Sequence, residues 1–235
     1  MKIILAHRGV IDENKENKEN TLGSLKAIKK YLNTTNIKFG IEFDINMTLD
    51  IKLVLYHDEC IKGTRHKISN LTYAELKLLD DELTLLEEVL EEFDGTDYIL
   101  DIEFKEYPTD KIKFCDIFIE LVNKYKRLNY FTSSFDKFIV DYLRNKNIIS
   151  YRLINKEYLF SVINTTYYKD DVKFITHYTN INFTNNIKGI YTLFDKEFNI
   201  NVCSNIFCRM SNIEYFITDD IEKTIDFTSN IHPQQ

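Results

Sequence analysis

Tryptophan is absent from this chain, proline occurs only twice and glycine six times in 235 residues. So little of the residues that compose flexible or stiff tethers excludes long interdomain linkers. The length suits one larger domain or two small ones. Cysteine is scarce too, at four, and Cys60, Cys115, Cys203 and Cys208 form no C-x-x-C. That spacing supplies neither a zinc site nor a disulfide framework, so the expectation is free thiols in a reducing compartment. No apolar run approaches the roughly 18 residues a membrane helix needs. The opening "MKIILA" is too short for a signal peptide and runs straight into His7, which points to an intracellular protein. Positive charge is also short: the formal net charge is −7, and Lys and Arg form no clustered face. A nucleic-acid partner is therefore not expected, and an anionic ligand would need a local cation.

The remaining composition supports a substantial core, with 44% hydrophobic residues and aromatic packing left to 15 Tyr and 17 Phe. Short β-rich runs alternate with helical patterns. The expected strands are "KIILA" (2–6), "FGIEFDI" (39–45), "YILDIEF" (98–104), "YFTSS" (130–134), "ISYRLI" (149–154), "VKFITH" (172–177), "GIYTLF" (189–194) and "YFITD" (215–219). Between them lie helical stretches such as "TLGSLKAIKKYL" and "LLEEVLEEF", the latter placing Leu86, Val89, Leu90 and Phe93 on one face. Thr72 with Glu75, and Thr84 with Glu87, have the spacing of capping boxes. Eight strands alternating with helices predict an α/β fold, a (β/α)8 TIM barrel, as a single domain over residues 1–235. About fifty residues separate the second and third strands, too many for a simple connection. They hold a further extended run, "IKLVLYHD", and predict a small insertion at about 46–80.

Active sites of such barrels form where the strands end. There the chain places polar groups that a strand covered on both faces should not carry. His7-Arg8 ends the first strand, and Glu42 and Asp44 share one face of the second. Asp101, Glu103 and Lys105 share one face of the third, and His57-Asp58 ends the inserted run. Each has an ordinary structural explanation alone. Together, Glu42, Asp44 and Glu103 make an all-oxygen set suited to one hard divalent cation, Mg²⁺ or Ca²⁺. With Arg8, Lys105 and two imidazoles beside them, the chemistry indicated is hydrolysis or transfer at a phosphodiester.

"AHRG", Glu19-Asn20-Thr21, "IEFD" (41–44), Thr48-x-Asp50, "YHD" (56–58), "LTYAEL", "TLLEEVL" and "DIEFK" (101–105) follow one another as in glycerophosphodiester phosphodiesterases. The chain resembles that family over its first half, with weaker echoes in "SSFD" (133–136) and "FITDD" (216–220). The resemblance implies His7 and His57 as the acid/base pair, and Glu42, Asp44 and Glu103 as metal ligands. It places Arg8 on the phosphate and Lys105 beside a small glycerophosphodiester substrate. Asn20 or Thr21 is expected to cap the first helix. The family's usual Trp-Thr on the seventh strand is missing from "IYTLFD" (190–195), where Tyr191 or Phe194 is expected to fill the space. Two alternatives share the motifs: a sphingomyelinase D-like lipid phosphodiesterase, and a non-catalytic phosphodiester-binding module.

Overall fold

Apolar residues on both faces of a short strand need cover on both sides, and this chain supplies it by closing its sheet. The structure, a computed structural model, describes residues 1–11, 18–34, 36–155, 174–177, 187–193 and 213–229. The strands are β1 (Lys2–His7), β2 (Ile37–Met47), β3 (Leu53–Leu55), β4 (Ile99–Phe104) and β5 (Asn129–Ser134), followed by β6 (Ser150–Ile154), β7 (Phe174–His177), β8 (Ile187–Leu193) and β9 (Tyr215–Thr218). All but β3 are parallel to their neighbours. β1 pairs with both β2 and β9, so eight strands form a closed ring in the order β1, β2, β4, β5, β6, β7, β8, β9. This is the expected (β/α)8 TIM barrel. The described helices are α1 (Leu22–Lys26), α2 (Tyr73–Leu79), α3 (Leu86–Phe93), α4 (Lys111–Val122), α5 (Lys137–Asn145) and α6 (Ile221–Ser229). Among the described residues no helix is long and apolar enough to cross a membrane.

Period-two alternation sorts the strand residues into two cores. Ile3 and Leu5 point inward with Phe131, Tyr151, Leu153, Ile175, Tyr215 and Ile217, filling the barrel. Ile4, Ala6, Ile41, Phe43 and Ile102 point outward to meet the helices. There α3 presents Leu86, Val89, Leu90 and Phe93, the face its sequence predicts. The Phe104 ring lies 4.8 Å from Phe114 and 4.9 Å from Phe118, wedging α4 against β4. Gly40 leaves β2 no room for a side chain beside β4: a Cβ there would stand 2.1 Å from the Ile99 carbonyl oxygen.

The segment between β2 and α3 stands on the rim. β2 overruns the barrel to Met47, and β3 folds back antiparallel on it, pairing Ile45 with Leu55 and Met47 with Leu53. Beyond it, Val54, Ile61, Ile68, Leu76 and Leu83 form a cluster of their own. Thr72 and Glu75 make the expected capping box on α2: Glu75 N–H donates to Thr72 Oγ1, and Thr72 N–H to Glu75 Oε2 at 2.8 Å.

Two helices differ from expectation. α3 is not boxed by Thr84 and Glu87; instead Leu85 N–H donates to Glu88 Oε2 at 2.7 Å. The Thr84 hydroxyl is occupied elsewhere, accepting Leu22 N–H at 3.0 Å and so tying the start of α1 to that of α3. The long helix read in "TLGSLKAIKKYL" is short: α1 passes into a 3₁₀ turn at Ala27–Lys30. Cys60 and Cys115 are free thiols, while Cys203 and Cys208 lie outside the described residues.

Candidate active site

The rim at the ends of β1, β2 and β4 is built on a strained turn. After His7 the backbone turns through Arg8 (φ +56°) and Gly9 (φ +94°). The left-handed region costs a non-glycine residue about 1–2 kcal/mol, so Arg8 is held there by its partners. Arg8 N–H donates to Glu42 Oε2 at 3.1 Å, and its carbonyl accepts Asn20 N–H at 2.9 Å. A Cβ on Gly9 would meet Ser24 Oγ at 2.6 Å, so the turn lies flat on the start of α1.

Glu19-Asn20-Thr21 locks the other side of that turn. Thr21 is the cap of α1, accepting Ser24 N–H at 3.2 Å. Asn20 caps nothing. Its side chain clamps Asp44, donating from Nδ2 to Oδ2 at 2.8 Å and accepting Asp44 N–H on Oδ1 at 3.0 Å. Glu19 accepts from Arg8 Nη1 at 3.2 Å.

Alternation on β2 and β4 turns Glu42, Asp44, Asp101 and Glu103 inward, and strand register sets Glu42 beside Asp101 and Asp44 beside Glu103. Oxygens of Glu42, Asp44 and Glu103 all fall within 4.8 Å of one another. Lys105 Nζ bridges two of them, 2.7 Å from Glu103 Oε1 and 3.2 Å from Asp44 Oδ1. Arg8 Nε lies 3.3 Å from Asp44 Oδ2, close enough for an ion pair but not aligned as a hydrogen bond.

These contacts divide the carboxylates. Burial alone would raise Asp44, but Lys105 and Arg8 outweigh it and hold its pKa below the usual aspartate range. Burial pushes Glu103 up, with Lys105 opposing and Asp44 reinforcing the rise. Glu42 is driven well above its ordinary value, first by burial and then by its three carboxylate neighbours. Asp101 is likewise pushed well up by burial, against the hydrogen bond from Ser133. Three buried carboxylates and a partly buried fourth, Glu103, thus face two cations, and Glu42 Oε1 has no partner. A buried charge left unpaired is costly. The surplus of carboxylates over cations, the orphaned oxygen and the all-oxygen donor set fit a hard divalent cation, which these residues could hold.

Both histidines face this cluster, each backed by a carboxylate. His7 Nδ1 lies 2.6 Å from Asp219 Oδ1, just beyond β9, and its Nε2 lies 3.9 Å from Glu42 Oε2. His57 Nδ1 lies 2.6 Å from Asp58 Oδ1. A carboxylate on Nδ1 fixes the ring and turns Nε2 to the substrate side. The His57 loop is braced on β2, where Asn46 Nδ2 donates to the Tyr56 carbonyl at 2.9 Å.

Six of the seven expected site residues, His7, Arg8, Glu42, His57, Glu103 and Lys105, line one cavity of about 190 Å³. Asp44, the seventh, is bound to its Arg8 and Lys105. The opposite wall is apolar, with Phe135, Leu153, Tyr191 and Ile217. Tyr191, one of the two residues expected to fill the space, lines the wall, its hydroxyl donating to the Ile154 carbonyl at 2.9 Å. Phe194 lies outside the described residues. Asp219, Asn46 and the clamp made by Asn20 were not foreseen; the echo "FITDD" was the available signal for the first. Two larger cavities share walls with this one, about 470 Å³ beside Glu103 and Lys105 and about 610 Å³ beside His57.

The sequence profile of the glycerophosphoryl diester phosphodiesterase family matches residues 7–192. No curated protein sequence matches the chain. Among solved structures, a glycerophosphodiester phosphodiesterase from Thermotoga maritima is 26% identical, with 97% of this chain and 98% of that chain covered at a TM-score of 0.70. One from Parabacteroides distasonis shares the fold at 20% identity, 97% and 96% coverage and a TM-score of 0.71. A phosphodiesterase from Oleispira antarctica, in complex with its product sn-glycerol-3-phosphate, shares it at 18% identity, 96% and 97% coverage and 0.65. The chain belongs to the glycerophosphoryl diester phosphodiesterase family and is a phosphodiesterase.

Proposed function

We propose that this enzyme hydrolyses glycerophosphodiesters to glycerol 3-phosphate and an alcohol, with His7 and His57 as acid and base and one divalent cation, Mg²⁺ or Ca²⁺, on Glu42, Asp44 and Glu103. The observation that carries this reading is the meeting of two carboxylate-backed imidazoles on one 190 Å³ cavity with Glu42 and Glu103, which cluster with Asp44 behind them. Bound there, the cation would neutralise the phosphate and make its phosphorus more electrophilic. Lys105 and Arg8 add positive charge on the same side. One imidazole takes the proton of the glycerol hydroxyl next to the phosphodiester as that oxygen attacks phosphorus. The other gives a proton to the departing alcohol oxygen as the P–O bond breaks. Water then opens the cyclic phosphate with the two roles reversed. We read residues 1–235 as one domain, with the insertion at about 46–80 delivering His57. The free thiols of Cys60 and Cys115 accord with an intracellular setting.

The test is release of glycerol 3-phosphate from glycerophosphocholine by the purified chain. EDTA is expected to abolish it, and Mg²⁺ or Ca²⁺ to restore it. Metal binding without turnover of this or any other diester, bis(p-nitrophenyl) phosphate included, would favour the non-catalytic module.

A further inference from the structure

We infer that Asp101, which neither the cation cluster nor the acid/base pair uses, is the group that recognises the terminal hydroxyl of the substrate's glycerol and so selects glycerol esters. This rests on the proposed phosphodiesterase reading. Asp101 is fully buried, yet it lines the reaction cavity. Ser133 Oγ donates to its Oδ1 at 2.6 Å and fixes the carboxyl plane, while Oδ2 has no hydrogen-bond partner. Its oxygens stand outside the set of Glu42, Asp44 and Glu103 that gather within 4.8 Å, so a cation on that set does not account for it. A buried acceptor kept without a partner is expensive unless a ligand completes it.

Position on the strand says which part of a ligand reaches it. Asp101 precedes Glu103 by two residues on the same face of β4, one side-chain layer deeper in the barrel. A phosphate beside Glu103 and Lys105 therefore has Asp101 beneath it, on the inward side. The cavity there is small and walled by Leu153, Ile217 and Tyr191, which admits a three-carbon unit and excludes a bulky headgroup. The departing alcohol is left the two larger cavities at the rim. A glycerol carbon chain directed inward brings its terminal hydroxyl to Oδ2, while the hydroxyl next to the phosphodiester stays level with the histidines.

The experiment compares glycerophosphocholine with the 2-hydroxyethyl ester of phosphocholine, which keeps the attacking hydroxyl but lacks the terminal one. The wild-type enzyme is expected to favour the glycerol ester in kcat/KM by roughly tenfold to a hundredfold, the range for leaving a buried polar group unpaired. In Asp101→Ala that ratio is expected to collapse to about threefold or less, with the larger fall on the glycerol ester. Ser133→Ala, which leaves Asp101 in place but unanchored, is expected to lie between. Calorimetric binding of glycerol 3-phosphate against 2-hydroxyethyl phosphate should show the same ordering, and covers a variant too slow to assay. A merely structural Asp101 would lower both substrates equally and leave the ratio intact, which overturns the inference. So would a wild type with no preference. Wild-type failure on every glycerophosphodiester overturns the phosphodiesterase reading itself, and this inference with it.

Discussion

The two histidines reach one cavity from different foundations. His7 ends a barrel strand, and its carboxylate, Asp219, comes from 212 residues away through the pairing of β1 with β9. His57 stands on the inserted hairpin and finds its carboxylate in the adjacent Asp58. Both pairs measure 2.6 Å between Nδ1 and Oδ1. One geometry depends on closure of the whole ring, the other on a three-residue strand and a separate apolar cluster. Half of the proposed acid/base pair can therefore be loosened without opening the barrel.

The largest expected effect asks whether both foundations serve one reaction. His7→Ala and His57→Ala should each lower kcat/KM for glycerophosphocholine by about 10²–10⁴, with circular dichroism unchanged. Because the two act as a unit, the double variant should be little worse than either single one. A loss confined to one histidine breaks the symmetry between the two.

Matched core truncations test whether the insertion is energetically separable. Leu76, in the insertion cluster, and Leu90, between α3 and the barrel, are both fully buried. Each Leu→Ala change should cost about 2–5 kcal/mol of the unit it belongs to. Leu90→Ala should lower the global Tm. Leu76→Ala should instead speed amide exchange across residues 53–83 and reduce turnover, with a much smaller change in Tm. Equal falls in Tm would show that insertion and barrel unfold together.

A smaller effect is expected at the carboxylates behind the imidazoles. Asp219→Asn should reduce kcat by about 10–100-fold, the usual cost of losing a group that orients a functional histidine. Asp58 is more open, with 63% of its side chain exposed against 42% for Asp219. Water can take over more of its role, so Asp58→Asn should fall by less. The reverse order would mean that the insertion, not the barrel, sets imidazole orientation.

The same contrast governs what the sequence made legible. Glu42, Asp44 and Glu103 stood out because period-two charges have no open face in a strand covered on both sides. Strands declared themselves through doubly apolar runs such as Ile3-Ile4-Leu5-Ala6. His57-Asp58 was legible as a pair because its support is local. Asp219 had no assigned role, since only ring closure brings β9 to β1. The cap of α1 was legible only as Asn20 or Thr21, because the partner that draws Asn20 away, Asp44, lies 24 residues on in β2. Thr84 misled for a related reason: its spacing to Glu87 is right, but α1 occupies its hydroxyl.

Helix caps give the finest version of the comparison, and a pH dependence with it. In the barrel, Asp136 caps α5 by accepting Phe138 N–H at 2.8 Å and Ile139 N–H at 3.2 Å. Burial would raise its pKa, but Lys111 and these bonds hold it below the ordinary aspartate value. A depressed folded pKa stabilises the protein above the unfolded value, near 4, and that contribution is lost as pH falls through the folded value. Asp136→Ala should therefore lower stability by about 0.5–2 kcal/mol at neutral pH, and the gap from wild type should narrow as the solution is acidified below about pH 4. In the insertion, hydrogen bonds from Thr72 hold Glu75 below its ordinary value, so the α2 box weakens in acid with the same sign. Thr72→Ala should register in amide exchange of α2 rather than in the global melt. A global shift from Thr72→Ala as large as that from Asp136→Ala would contradict a separable insertion, by a route independent of its core.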